Sequence, residues 1–201
     1  MYLVGITGGI GSGKSTISKV FNILGIPVYD SDSRAKSIME NNENVRQGLQ
    51  ELFGDEALKD EGINKDHLRK LVFSDEQNRK KINELVHPEV GKDFESWVKE
   101  NSSAPYLIKE AALLVKSRSY KNLDVLIGVF APKDVRIERV KKRDPFRSEE
   151  DVQKIIDSQM SDEELAGYCH VQIQNDGKKA ILEDLMNFDT SLRAHLKTVE
   201  K

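Results

Sequence analysis

Cysteine occurs once in the 201 residues, at Cys169, which excludes an internal disulfide and fits a reducing compartment. Because Cys169 precedes the strand-like run Val171-Gln172-Ile173-Gln174, it reads as a packing residue rather than a nucleophile. No stretch is long and apolar enough to span a bilayer. Neither sign of charge dominates: the formal net charge is −3, and charged residues of both signs, 32% of the chain, are interspersed. That balance offers no global attraction to nucleic acid or to a membrane surface. Internal repeats, low-complexity tracts and linker-like segments are also missing. The N-terminus leads straight into a strand, leaving no room for a cleavable signal, so a soluble cytoplasmic protein is expected. This length suits one domain with room for a small inserted lobe, and it can bury a core without staples.

What is present is concentrated near the start. Gly8-Gly9-Ile10-Gly11-Ser12-Gly13-Lys14-Ser15 follows the apolar run Tyr2-Leu3-Val4-Gly5-Ile6-Thr7 and opens onto Thr16-Ile17-Ser18-Lys19-Val20-Phe21. The pattern G-x-x-x-x-G-K-S between a strand and a helix is the context of a phosphate-binding loop. Glycines allow the backbone to curl its N–H groups around phosphate oxygens, and the helix N-terminus adds unpaired donors and a positive dipole end. Lys14 supplies a point charge for the outer phosphates and the Ser15 hydroxyl a ligand for magnesium. The competing reading is a glycine-rich turn with an exposed lysine.

Helical spacing of Ile17, Val20, Phe21 and Leu24 predicts a helix that Gly25 stops, and Ile26-Pro27-Val28-Tyr29 reads as a second strand ending at Asp30. Strand, loop, helix, strand opens a parallel α/β sheet whose ligands lie at the carboxyl ends of the strands, so Asp30 and Asp32 are expected on the rim of the loop. Residues 33–102 are polar, helical and strand-poor, punctuated by Gly54, Gly62 and Pro88, which suggests an insertion covering the strand ends. Trp97, at helical spacing from Phe94, reads as core. The sheet resumes at Tyr106-Leu107-Ile108 ahead of Lys109-Glu110, and again over 125–130. A basic helix follows over 136–143 and breaks at Asp144-Pro145. Ser148 caps the next helix, which runs to about Gln159, Val171–Gln174 forms the last strand, and the final helix covers roughly 179–196.

A nucleotide site alone does not separate a switch, a motor and a kinase. Asn64-Lys65-Asp66 is one residue out of the guanine-reading pattern and lies in the helical insertion, and the chain lacks the size of a motor. A small kinase explains more. Asp30 and Asp32 can orient magnesium or accept the proton of an attacking hydroxyl, although Asp30 can equally cap the next helix. Arg136, Arg139 and Arg143 share a helix face before a proline break. This suits a lid whose arginines close on transferring phosphates, or else a solvated basic face. Glu110 at a strand end can hold magnesium through water, with a structural role as the alternative. His87 is a candidate substrate contact or a cap at a helix boundary.

With these residues in hand, the chain resembles the dephospho-coenzyme A kinases over nearly its full length. Gly5 to Ser15 is close to that family's N-terminal signature, and Leu24 to Asp32 resembles its Leu-Gly…Asp-Ala-Asp segment, whose second aspartate is the presumed base. Leu68-Arg69 through Val72-Phe73, then His87-Pro88, match the middle region. Ala131-Pro132, Arg139…Arg143-Asp144, Gln159 and Asn175-Asp176-Gly177 match the lid and adenine-side regions. The order and spacing of these motifs behind the loop carry the specificity.

The resemblance implies an α/β, three-layer P-loop NTPase fold with a parallel central sheet. Its core would cover about 1–32, 104–135 and 168–201, with a helical acceptor-binding insertion over 33–103 and a small helical lid over 136–167. It implies ATP-dependent phosphorylation of the ribose 3′-hydroxyl of dephospho-coenzyme A. Gly9, Ile10, Gly11, Ser12, Gly13, Lys14, Ser15, Thr16 and Asn175 would bind ATP, and Ser15 and Asp30 the Mg²⁺. Asp32 would act as base, Lys14 would meet the outer phosphates, Arg139 or Arg143 would neutralise charge on the moving phosphoryl group, and Arg69, His87, Glu110 and Asp32 would meet the acceptor. Only small-molecule partners are expected, with the chain a monomer or weak homo-oligomer. One stretch departs: where the family usually has Pro-Leu-Leu-Phe-Glu, this chain has Ala112-Leu113-Leu114-Val115-Lys116, an acid replaced by a base. A kinase acting on another nucleotide or nucleoside, or a regulatory protein that keeps the loop without transferring phosphate, stays open.

Overall fold

The computed structural model describes residues 1–59 and 62–199. In chain order its elements begin with β1 (Leu3–Thr7), α1 (Lys14–Ile23), β2 (Val28–Asp30), α2 (Ser31–Asn41), α3 (Glu43–Phe53), β3 (Leu58–Lys59), β4 (Gly62–Ile63), α4 (Lys65–Ser74) and α5 (Glu76–Glu100). They continue with β5 (Leu107–Glu110), β6 (Val125–Phe130), α6 (Lys133–Arg143), α7 (Glu149–Ser158), α8 (Asp162–Ala166), β7 (Val171–Gln174) and α9 (Leu182–Val199). Two compact units emerge, Met1–Tyr29 with Asn101–Lys201, and Asp30–Glu100.

In the first unit, the strands β1 and β6 are apolar and buried on both faces and so demand cover on both sides, the condition of a parallel sheet. The sheet order is β2-β5-β1-β6-β7, with β1 running parallel to both β5 and β6, and β7 parallel to β6. β1 is therefore the central strand. Its register sets Ile6 beside Glu110 and Thr7 beside Gly128, which brings three carboxyl ends to one rim. One face is closed by α1 and α9: Ile17, Phe21, Leu185 and Leu192 pack on Val4, Ile6, Ile108 and Val129. Fully burying side chains of this kind stabilises by about 1.5–3 kcal/mol each, and Phe21 also meets Phe188 edge-on at 6.0 Å. The opposite face carries Leu126 and Phe130 under Leu114, Val115 and Leu165. Burial pushes the Cys169 thiol up to about 11, so Cys169 is a packing residue in this second cluster and a poor nucleophile at neutral pH. A buried polar tie anchors α9: Tyr106 donates its hydroxyl to Asp189 (2.6 Å), while Arg193 donates to Asp189 (2.8 Å) and to the Leu24 carbonyl after α1 (3.1 Å).

The second unit packs α2 to α5 around Val45, Leu49, Leu68, Ile82 and Val86. Arg34 forks onto Asp93 at 2.8 and 2.6 Å, tying α2 to α5 by a bidentate pair. Two features depart from the sequence-based expectation. A small antiparallel pair, β3 with β4, sits among the helices. Pro88 punctuates nothing: it lies inside the 25-residue α5. A proline interior to a helix removes one backbone bond and costs about 3 kcal/mol, which neighbouring packing by Val86 and Val90 must offset here. His87 is accordingly a mid-helix residue, and its expected place at a helix boundary is corrected. Helix bounds also shift slightly: α6 begins at Lys133, before the expected 136, and α9 runs from Leu182 to Val199, later at both ends than the expected 179–196.

Candidate active site

Between Thr7 and Lys14 the chain turns from the central strand into α1. Gly13 is the N-cap of α1 at φ 98°, and no side chain caps that helix. A Cβ at Gly13 would both strain this left-handed backbone and run into the Asn175 amide, so only glycine fits. The uncapped first turn leaves backbone donors for an anion, in the manner of phosphate loops. Ser12 N–H closes a turn on the Gly9 carbonyl (3.2 Å), and Lys14 Nζ folds back to the same carbonyl (3.1 Å). The Ser12 hydroxyl is buried without a hydrogen-bond partner among the described residues.

Side chains from α6 and the end of β7 hold the outside of the loop. Asn175, fixed by its own N–H on the Phe130 carbonyl (2.7 Å), donates Nδ2 to the Ser12 carbonyl (2.8 Å). Arg139 donates to the Asn175 carbonyl (2.9 Å) and reaches the Ser12 carbonyl at 3.5 Å. A planar trans peptide points its C=O and the next N–H in opposite directions, so a Ser12 carbonyl held outward turns the Gly13 N–H toward the loop's interior. Asn175 and Arg139, both singled out from the sequence, thus sit on the phosphate loop.

Glu110 ends β5, is only 7% exposed, and accepts the Ser15 hydroxyl at 3.2 Å. Sequence reasoning offered Glu110 both a water-mediated hold on magnesium and a contact with the acceptor, and its hydrogen bond joins it to Ser15, the residue expected to hold magnesium. The described residues contain no group of three or more His, Cys, Asp or Glu able to hold a metal by themselves. A hydroxyl backed by a carboxylate, with phosphate oxygens and water left to complete the shell, fits the oxygen-rich, partly hydrated coordination of Mg²⁺. On the opposite face of β5, burial lowers the Lys109 pKa, a group the sequence reading passed over.

The helix-capping alternative for Asp30 is what its contacts express. Oδ1 accepts the N–H groups of Asp32 and Ser33, both at 3.1 Å, and Oδ2 accepts the Ser33 hydroxyl at 2.6 Å. Asp32 lies exposed in the first turn of α2. Arg69 is exposed on α4, and His87 lines a hollow of about 790 Å³ along α5 with Arg79, Lys80, Asn83 and Glu84. Phe94 and Trp97 stack on each other at 6.1 Å, and Trp97 is half-buried. Lys116 is exposed. The three arginines of α6 diverge. Arg143 is exposed and forks onto Asp144 at 3.2 and 2.9 Å, which raises its own pKa and lowers that of the aspartate. Arg136, read from sequence as part of a lid row, is instead buried against the loop: Nε donates to the Ile10 carbonyl (2.9 Å) and the other nitrogens to Asp162 and Gln159 (3.2 Å each). Gln159 Oε1 also accepts the Ile10 N–H (2.9 Å). The sequence offered only the order of motifs as a pointer to Gln159, because its contact spans 149 positions of chain.

A family model described as dephospho-CoA kinase matches residues 2–180. A curated dephospho-CoA kinase of Porphyromonas gingivalis is 41% identical over 166 residues, covering 83% of this chain and 81% of that protein. One from Bacteroides fragilis is 34% identical over 183 residues, covering 91% and 89%. Among solved structures, TT1252 from Thermus thermophilus superposes with a TM-score of 0.83 at 32% identity, covering 97% of both chains. A dephospho-CoA kinase from Campylobacter jejuni, at 22% identity and a TM-score of 0.71 over 96% of this chain and 98% of that one, shares the fold. No helix among the described residues is long and apolar enough to cross a membrane.

Proposed function

The chain belongs to the dephospho-CoA kinase family, and on that premise we propose that it transfers the terminal phosphoryl group of ATP to the ribose 3′-hydroxyl of dephospho-coenzyme A, yielding coenzyme A and ADP, the last step of coenzyme A synthesis. The observation that carries this reading is the loop itself, a left-handed Gly13 opening an uncapped helix beside a Ser15–Glu110 pair. Gly9 to Thr16 present backbone donors to the phosphates, and Lys14 leaves the Gly9 carbonyl to meet the outer ones. Ser15, supported by Glu110, holds Mg²⁺, with Asp30 as the further oxygen ligand. Bound magnesium supplies positive charge that offsets the phosphates and orients them. Asp32 accepts the proton of the attacking hydroxyl. Arg139, already on the loop, and Arg143, exposed at the end of α6, supply charge to the moving phosphoryl group. Asn175 borders the adenine.

Residues of the Asp30–Glu100 unit, Arg69 and His87 among them, receive the acceptor. The hollow along α5 offers Arg79 and Lys80 to its diphosphate, which would draw them from their partners Glu76 and Glu84 on the same lining. The segment from 136 to 167 excludes water, without which ATP would be hydrolysed. The same reading makes the chain a cytoplasmic monomer or weak homo-oligomer that takes small molecules alone.

ADP release with ATP and magnesium, with and without dephospho-coenzyme A, tests the proposal together with the product's mass. Strong stimulation and a product one phosphate heavier are expected. Stimulation by AMP in place of dephospho-coenzyme A would move the assignment to a nucleotide kinase, and ATP binding without turnover to a regulatory role.

A further inference from the structure

We propose that Arg136 and Gln159 form a two-point clamp on Ile10 that sets the orientation of the phosphate loop's amides, making them positioning residues for phosphoryl transfer. The proposal rests on the reading of that loop as an ATP site. Both polar groups of the Ile10 backbone are held, the carbonyl by Arg136 Nε and the N–H by Gln159 Oε1, each at 2.9 Å. Arg136 Nη2 donates to the same Gln159 oxygen at 3.2 Å, which closes the three residues into a ring, and Nη1 reaches Asp162 at 3.2 Å. Arg136 is 5% exposed, and a guanidinium survives such burial only where its donors face acceptors.

The peptide plane converts this clamp into amide direction. Holding the Ile10 carbonyl toward Arg136 turns the Gly11 N–H the opposite way, as the Ser12 carbonyl held by Asn175 does for Gly13. Two anchored carbonyls two residues apart thus aim two alternate amides into one concavity, the form of a backbone anion nest. The space beside Gly9 gives an independent sign: a Cβ there would collide with the Arg136 guanidinium, so Gly9 accommodates the clamp itself. Gln159 is the C-cap of α7, so displacement of that helix reaches Ile10 through one hydrogen bond.

The oxygen of Gln159 does all the accepting, which makes Gln159→Glu the conservative variant and Gln159→Leu the disruptive one. For each, the dissociation constant of ATP with magnesium, kcat, the KM for dephospho-coenzyme A and Tm are measured on the full chain. With Gln159→Leu, ATP affinity falls by about tenfold or more, as expected for a lost hydrogen bond that orients a loop, and kcat falls with it. The acceptor KM stays near the wild-type value, and Gln159→Glu restores most of the ATP affinity. Gly9→Ala, which displaces the Arg136 guanidinium from Gln159 while leaving Gln159 itself unsubstituted, gives the same signature and serves if the leucine variant does not fold. Equal behaviour of the Leu and Glu variants, or ATP and acceptor constants that decline together with Tm, overturns the clamp. Wild-type protein that binds ATP but does not phosphorylate dephospho-coenzyme A overturns the acceptor assignment instead, and the ATP dissociation constants still decide on the clamp. Wild-type protein that does not bind ATP overturns both.

Discussion

Asp32 sits in the first turn of α2, where its backbone N–H bonds Asp30, and its carboxyl group is the one the family resemblance names as base. Asp32→Asn keeps the size of the side chain and removes its basicity. Steady-state turnover is expected to drop by roughly 10²–10⁴-fold with ATP affinity nearly intact, the signature of a lost proton acceptor. Turnover at the wild-type rate would remove Asp32 from the mechanism. At this scale the motif residues were legible in the sequence because their spacing is local: the glycines, Lys14 and Ser15 follow one another directly. The contacts of Arg136 and Gln159 with Ile10 were not, because a side chain that reaches Ile10 from 126 or 149 positions away leaves no trace of its partner in local spacing. Arg136 has the helical spacing of a lid arginine, and only burial distinguishes it from Arg143, which α6 leaves exposed. Glu110 was legible as a strand-end acid, but its partner Ser15 follows from the parallel register of β1 with β5 rather than from any motif.

Among the elements, α2 carries the clearest choice between two roles of one residue. Both carboxylate oxygens of Asp30 are engaged by the first turn of α2, which is the work of an N-cap. Asp30→Ala is therefore expected to cost about 1 kcal/mol, within the range of 0.5–2 found for such caps, and to lower Tm. The magnesium dependence of turnover separates the roles: an unchanged requirement assigns Asp30 to the cap alone, and a raised one upholds its proposed place on the metal. Elements with an undisturbed apolar period were readable in advance, α1 and β6 most plainly. α5 was not, because Pro88 signals a stop by local rules, and tertiary packing on Ile82, Val86 and Val90 carries the helix through it. The pair of β3 and β4 is two residues per strand, too short for alternation to register.

For the whole molecule, two units with separate apolar clusters suggest that two ligands leave separate footprints. The proposed function assigns ATP to the loop of the first unit and the acceptor to Asp30–Glu100. A ligand present at 100 times its dissociation constant stabilises the folded state by about 2.7 kcal/mol. Amides that exchange through opening of the unit it binds are then slowed by about 100-fold. Hydrogen exchange with ATP alone should slow amides of the loop, α1 and the Asn175 turn. Dephospho-coenzyme A alone should slow amides of α2 to α5, where the core of Val45, Leu49, Leu68, Ile82 and Val86 governs opening. The departure at Lys116 enters at this scale as well, because Lys116 belongs to the Asn101–Lys201 part of the first unit. If the acceptor needed an acid at that position, its footprint would weaken while that of ATP did not. Protection by dephospho-coenzyme A confined to the first unit would refute the acceptor role of the helical unit, and with it the parts given to Arg69 and His87.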